Sequence, residues 1–221
     1  MNIPKLRGLK YPDEFVIKFF FKNQLHARTG RVLELGCGNG NNLQLFHEHG
    51  WNVVGLDISP ESLSDAEHNF TLTTQAEVRH QFFLRDLSVG LGNNIPGKFD
   101  VVLLPSVLYY IPRRSMALVL QELQHYVSSE ALIFLRSRSV RDYRYRRGEE
   151  VERNGYRLAE AETGEHGLLN VFYYEWELVD MLREHLGLNP ITSEVLTVEF
   201  QNPQQGVPVN NADIVIWGRL G

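Results

Sequence analysis

The residues best suited to chemistry lie in one short stretch, VLELGCGNGNN at 32–42. Gly36, Gly38 and Gly40 alternate directly after an apolar run, and Glu34 is lodged inside that run. Glycine admits positive φ and lets a ligand come close to the backbone. A helix starting just beyond such a turn offers N–H groups that lack intrahelical partners. A carboxylate inside an apolar strand is costly unless something meets it. The stretch therefore reads as a ligand loop; a tight turn with no ligand is the plainer alternative. It is not a dinucleotide fingerprint, because G-x-G-x-x-G counted from Gly36 ends on Asn41. No G-x-x-x-x-G-K-[ST] occurs, which removes the P-loop.

The elements that must position this loop alternate along the chain. Strand-like apolar runs fall at 31–36, 51–57, 80–87, 101–104 and 131–139. Helical patterns fall at 13–25, 41–50, 59–70 and 113–127, with Asp13 and Ser59 as N-caps, Pro60 in a first turn and Gly50 as a stop. The strands are continuous apolar runs, as strands buried on both faces are. Strand–helix alternation predicts a three-layer α/β fold, a mostly parallel sheet with helices on both sides. Toward the end come a helix near 175–186 and two strand-like runs, 194–200 and 212–220, separated by the polar turn-forming stretch NPQQGVPVNN. These two runs predict an antiparallel pair closing the sheet edge. The glycine loop then lies at the carboxyl ends of the strands, where open α/β sheets bind ligands.

The pattern Glu34-x-Gly36-x-Gly38-x-Gly40 resembles the first motif of the class I S-adenosylmethionine-dependent methyltransferases. The resemblance extends over residues 31 to about 139. It implies that Glu34 serves the amino-acid end of the cofactor and that the three glycines let the loop pass beside it. Asp57, ending VVGLD, matches the acid that receives the ribose hydroxyls. Asp86, in FLRDL, matches the acid that bonds the adenine amine, with Ile58 and Leu87 flanking the ring. The backbone near Pro105 and Ser106 would meet the methionine moiety. It further implies a seven-stranded sheet of order 3-2-1-4-5-7-6 with strand 7 antiparallel, one domain over 1–221, a helical cover at 1–28 and a substrate-side insertion at 140–175. The chemistry is coherent. The cofactor carries an ammonium and a ribose diol at separate points, and a carboxylate at each gives charge-assisted hydrogen bonds. From the residues alone, Asp57 could instead cap a helix and Asp86 could be a turn residue.

Methyl transfer needs alignment more than covalent help, so no catalytic residue stands out. The [DN]-P-P-[FYW] element of enzymes that methylate amines of DNA bases is missing, since the region reads LLPSVLYY. The one cysteine, Cys37, sits in the glycine loop, which excludes the cytosine-C5 route, and no Asp-Asn pair suggests a metal. Candidate acceptor residues are Tyr109 and Tyr110, which could equally pack under the next helix, and Tyr11, which could fold over the cofactor. Glu165 and His166 are candidate bases. RSRSVRDYRYRRG at 136–148 holds six arginines. Arg138 and Arg144 are candidates for an anionic acceptor. The alternative is a solvated face paired with Glu149, Glu150, Glu152 and Glu160.

The 221 residues are 43% hydrophobic, enough for one buried domain, and the net charge of −5 does not suit a protein that mainly grips nucleic acid. No apolar run reaches membrane-spanning length and no signal-peptide core is present, so the expectation is a cytoplasmic protein. The reading is a methyltransferase of a small molecule. A protein or RNA acceptor and a non-catalytic cofactor-binding regulator are the alternatives.

Overall fold

A computed structural model describes residues 5–72, 79–159 and 162–221. Ten strands and five α-helices are formed among them. The strands are β1 (Arg31–Leu35), β2 (Asn52–Asp57), β3 (His80–Leu84), β4 (Phe99–Pro105), β5 (Val127–Arg138), β6 (Gly148–Glu152), β7 (Gly155–Leu158), β8 (Leu169–Val171), β9 (Glu194–Gln204) and β10 (Val207–Arg219). The helices are α1 (Glu14–Lys22), α2 (Asn41–Glu48), α3 (Pro60–Thr71), α4 (Arg113–Leu123) and α5 (Glu175–Leu186). The main sheet runs β3-β2-β1-β4-β5-β10-β9. Its first five strands are parallel, and β10 is antiparallel to both neighbours. Counting only the strands of this sheet, that is the expected order 3-2-1-4-5-7-6, with the last strand antiparallel.

The strand period of two sends alternate residues to opposite layers. Leu33, Leu35, Val102, Leu104, Ile133 and Leu135 pack with Met116 and Leu120 of α4 and with Leu178 and Leu182 of α5. Val32, Val53, Val101, Leu103 and Phe134 pack with Phe19 and Phe20 of α1, Phe46 of α2 and Phe70 of α3. Asp13 caps α1 by accepting from Phe15 N at 2.7 Å, and Ser59 Oγ caps α3 by accepting from Ser62 N at 3.1 Å. Gly187, at φ +69°, ends α5.

Two expectations need correction. The polar stretch 202–211 is almost all strand: Asn202 faces Val209 and Gln204 faces Val207. The turn is confined to Gln205 and Gly206, both at positive φ, as a two-residue hairpin demands. The 140–175 segment carries a second antiparallel sheet, β6-β7-β8, that the sequence did not announce. Tyr145, Tyr156, Leu158 and Phe172 form its small separate core.

Candidate functional site

β1 delivers Glu34 to the start of α2, in register with Gly55 on β2 and Leu103 on β4. The side chain is 1% exposed. Asn42 Nδ2 donates to its Oε1 at 2.7 Å, while Oε2 is buried with no partner among the described residues. Burial pushes this carboxyl up to about 8; the Asn42 hydrogen bond works against that, and Asp57 and Asp13 nearby add to it. Such an oxygen calls for a donor from outside the fold.

The glycines fit the loop for different reasons. Gly36, at φ +70°, lies so close to Val107 that a Cβ would sit 2.4 Å from Val107 Cγ2. At Gly40 a Cβ would meet Phe70 at 2.9 Å. Gly38 faces open space at φ +52°, and its N–H donates to Asp57 Oδ2 at 2.8 Å. The other oxygen of Asp57 accepts from Ser59 N at 2.9 Å. Asp57 is thus both a turn residue and a fixed acceptor, pinned from two sides with lone pairs to spare.

Two cavities meet at this loop. The smaller, about 290 Å³, is bounded by Glu34, Gly38, Asn42, Pro105 and, from the N-terminal segment, Leu9, Tyr11 and Pro12. The larger, about 540 Å³, is bounded by Asp57, Ile58, Asp86, Leu87, Val107, Tyr110, Ile111, Leu168 and Leu169. Gly36 and Ser106 border both. Ser106 holds φ +57°, a strained conformation for a serine, where the chain leaves β4. Ile58 is 65% exposed, a large apolar side chain offered to the cavity. The Ser88 hydroxyl, and then Ser88 N at 2.8 Å, hold the Asp86 carboxyl below the usual range and keep it charged.

These residues fit S-adenosylmethionine, the cofactor implied by the resemblance. The orphaned oxygen of Glu34 would take the ammonium, Asp57 the ribose diol, Ile58 and Leu87 the faces of the adenine, and Asp86 its amine. Pro105 lies at the smaller cavity, as the methionine end requires.

The acceptor candidates divide. Tyr110 lines the larger cavity and Tyr11 the smaller, whereas Tyr109 is buried and lines neither. Arg138 and Arg144 do not line the cavities either, and this corrects their assignment to an acceptor. Arg138 is 7% exposed, bonds Glu165 Oε1 at 2.8 Å and Asn170 Oδ1, and lies 4.3 Å over the Tyr109 ring. Arg144 bonds Asp142 at 3.0 Å and Glu165 Oε2. A buried guanidinium must be neutralised locally, and these have been. Of the paired-face alternative, two arginines have other partners. Arg136 pairs with Asp13 and Asp213, and Arg141 with Glu199 at 2.9 Å, while Glu160 lies outside the described residues.

Glu165 is equally committed. Burial would raise its carboxyl, yet Arg138, the Tyr110 hydroxyl at 2.7 Å and Arg144 hold it below the usual range. An acid this stabilised as a carboxylate is a poor base. His166 is exposed and bonds Ala159 O at 2.9 Å.

The asparagines of the loop were missed. Asn39 Nδ2 donates to Arg7 O and Leu9 O at 2.7 and 2.8 Å, Asn41 to Tyr11 O at 2.9 Å, and Asn42 Oδ1 accepts from Asp13 N at 2.8 Å. Asn69 of α3 adds two bonds to the backbone of Arg7. They stitch residues 7–13 across the cavity mouth. The repeated Asn of GNGNN was the available signal.

A family model described as a methyltransferase domain matches residues 9–193. An 18S rRNA (guanine-N(7))-methyltransferase of Schizosaccharomyces pombe is 36% identical over 80 residues, 36% of this chain and 27% of that protein. A ubiquinone biosynthesis O-methyltransferase of Dechloromonas aromatica is 31% identical over 85 residues, 38% of this chain and 35% of that protein. The chain thus spans about a third or less of the length of these curated relatives. A SAM-dependent methyltransferase structure from Methanosarcina mazei superimposes with a TM-score of 0.63 at 18% identity, covering 86% of this chain and 92% of that one.

Proposed function

The chain belongs to the methyltransferase-domain family, the class I S-adenosylmethionine-dependent methyltransferases, and on that footing we propose that it methylates a small-molecule acceptor. The cofactor supplies a methyl group activated on a cationic sulfonium. The residues of the chain bind it at two ends and leave its middle at the junction of the cavities. The observation that carries this reading is Glu34 Oε2, a buried oxygen with no partner among the described residues, on a side chain that borders the smaller cavity. Asp57, pinned by Gly38 and Ser59, gives the second anchor. The methyl is then presented near Gly36 and Ser106, the residues common to both spaces.

A small acceptor is favoured by the walls of the larger cavity. Tyr110 and Ile111 follow β4, and Leu168 and Leu169 reach in from the start of β8, so the second sheet roofs the space. Catalysis is by alignment: holding an acceptor atom about 3–3.5 Å from the methyl supplies most of what this chemistry needs.

Calorimetric titration with S-adenosylhomocysteine, with NAD beside it, tests the reading. Ligand at ~100 times its dissociation constant stabilises a fold by about 2.7 kcal/mol. In a domain of this size that is a rise of roughly 5–10 °C in melting temperature. Binding of S-adenosylhomocysteine alone is expected. Binding of neither would sink the assignment and bring the regulator alternative forward.

A further inference from the structure

We infer that the acceptor is uncharged, an apolar molecule whose methylated atom is a nitrogen with a free lone pair; this rests on the cofactor reading above. The charges around the two cavities carry the inference. Asp13, Glu34, Asp57 and Asp86 line them, and no Lys, Arg or His does among the described residues. The stretches outside the described residues contain no Lys, Arg or His. The nearby guanidiniums of Arg136, Arg138 and Arg144 each face carboxylates of the chain itself. Freeing one would leave an unpaired buried acid, a cost of several kcal/mol. An acidic acceptor would therefore meet Asp57 and Asp86 with no cation of the chain free to receive it, while a cationic one would face the sulfonium.

The wall facing the acceptor is apolar: Val107, Tyr110, Ile111, Leu168 and Leu169. The carboxylate against Tyr110 is that of Glu165. Its Oε1 receives Tyr110 and Arg138 and its Oε2 receives Arg144, three donors that favour the carboxylate and weaken it as a base. An acceptor that needs deprotonation finds as bases there only carboxylates already held by donors, Glu165, Asp57 and Asp86. A neutral nitrogen needs none. Its lone pair forms the bond to the methyl carbon as the carbon–sulfur bond breaks with both electrons left on sulfur. The positive charge passes from sulfur to nitrogen, close to the ring of Tyr110.

The test is ligand binding to the protein saturated with sinefungin, a cofactor analogue with an ammonium where the sulfonium stands, at about pH 8, where isoquinoline is neutral, read by NMR titration. The probes are isoquinoline, isoquinoline-1-carboxylate and N-methylisoquinolinium, which share a shape and differ in charge. Isoquinoline is expected to bind about tenfold or more tighter than either charged relative. Leu168→Arg, at a half-exposed wall position, should shift the preference toward the carboxylate by about tenfold. Equal or tighter binding of the carboxylate or the cation to the unaltered protein would overturn the inference. So would no binding of isoquinoline, or a preference that Leu168→Arg leaves unchanged. Failure of S-adenosylhomocysteine itself to bind is a separate result, and it strikes the cofactor reading instead.

Discussion

Glu34 should make cofactor binding release a proton. Its carboxyl is held at about 8 in the ligand-free fold, chiefly by burial. A ligand ammonium on Oε2 requires the carboxylate, so the apparent dissociation constant scales as one plus ten to the power of 8 minus pH. That factor is about a hundred at pH 6 and about two at pH 8. S-adenosylhomocysteine should thus bind roughly fiftyfold tighter at pH 8 than at pH 6. Near pH 7, about 0.9 proton should be released, seen as a binding enthalpy that changes with the ionisation enthalpy of the buffer. Glu34→Gln removes the titrating group, so its weaker affinity should be nearly flat over this range. The ligand-free protein gives a second reading of the same group. Between about pH 4.5 and 8 the folded state holds a proton on Glu34 that the unfolded chain has lost, so stability should fall as pH rises through that window. Glu34→Gln should flatten that decline as well. A wild-type affinity independent of pH, or a slope that survives in Glu34→Gln, would refute the argument that this oxygen meets a cation.

Asp57→Ala should weaken S-adenosylhomocysteine by more than about tenfold, because it deletes an acceptor held ready by Gly38 and Ser59; ordinary affinity in calorimetry would remove the ribose role. Arg144→Ala leaves Asp142 without its buried partner and Glu165 with Arg138 alone, and should destabilise the fold by about 3–5 kcal/mol, a drop in melting temperature of roughly 10 °C. An unchanged melting curve with lost turnover would return Arg144 to the acceptor. Gly36→Ala should abolish ligand binding, since its Cβ would overlap Val107 Cγ2 at 2.4 Å. Unimpaired titration in that variant would show that the loop tolerates a shift.

The residues proposed for the cofactor stood out in the sequence because each breaks a local rule of its own element. An acid in an apolar strand, three glycines at a strand end and an acid ending β2 all stand out against β1 and β2. Parallel strands and their helices were equally plain, since continuous apolar runs need little context. The arginines were misjudged because sequence spacing says nothing about partners brought in from afar: Asp213 is 77 residues from Arg136, and Asp13 is 123. The second sheet escaped notice for a related reason. β7 and β8 have four and three residues, too short for alternation to register, and become strands only by pairing with each other and β6. At 202–204 and 207–211, turn-forming residues lie in strand because β9 and β10 pair with each other along the whole hairpin.

The first helix is finished by the last strand. Phe19 of α1 packs on Phe134 and Trp217, with ring centroids 5.6 and 6.3 Å away, and Asp13 at its cap shares Arg136 with Asp213 of β10. During synthesis the aromatic face of α1 emerges well before Trp217, and the surface that receives it is completed only once β10 has been made. Until then Phe19 and Phe20 are sticky and unsheltered, the condition that invites chaperone capture or misassembly. Residues 7–13 hang from that helix, so the cover of the smaller cavity settles only after β10 is in place. Ligand competence thus doubles as a report that β10 has been made: a nascent chain without β10 carries the glycine loop but not the settled cap above it.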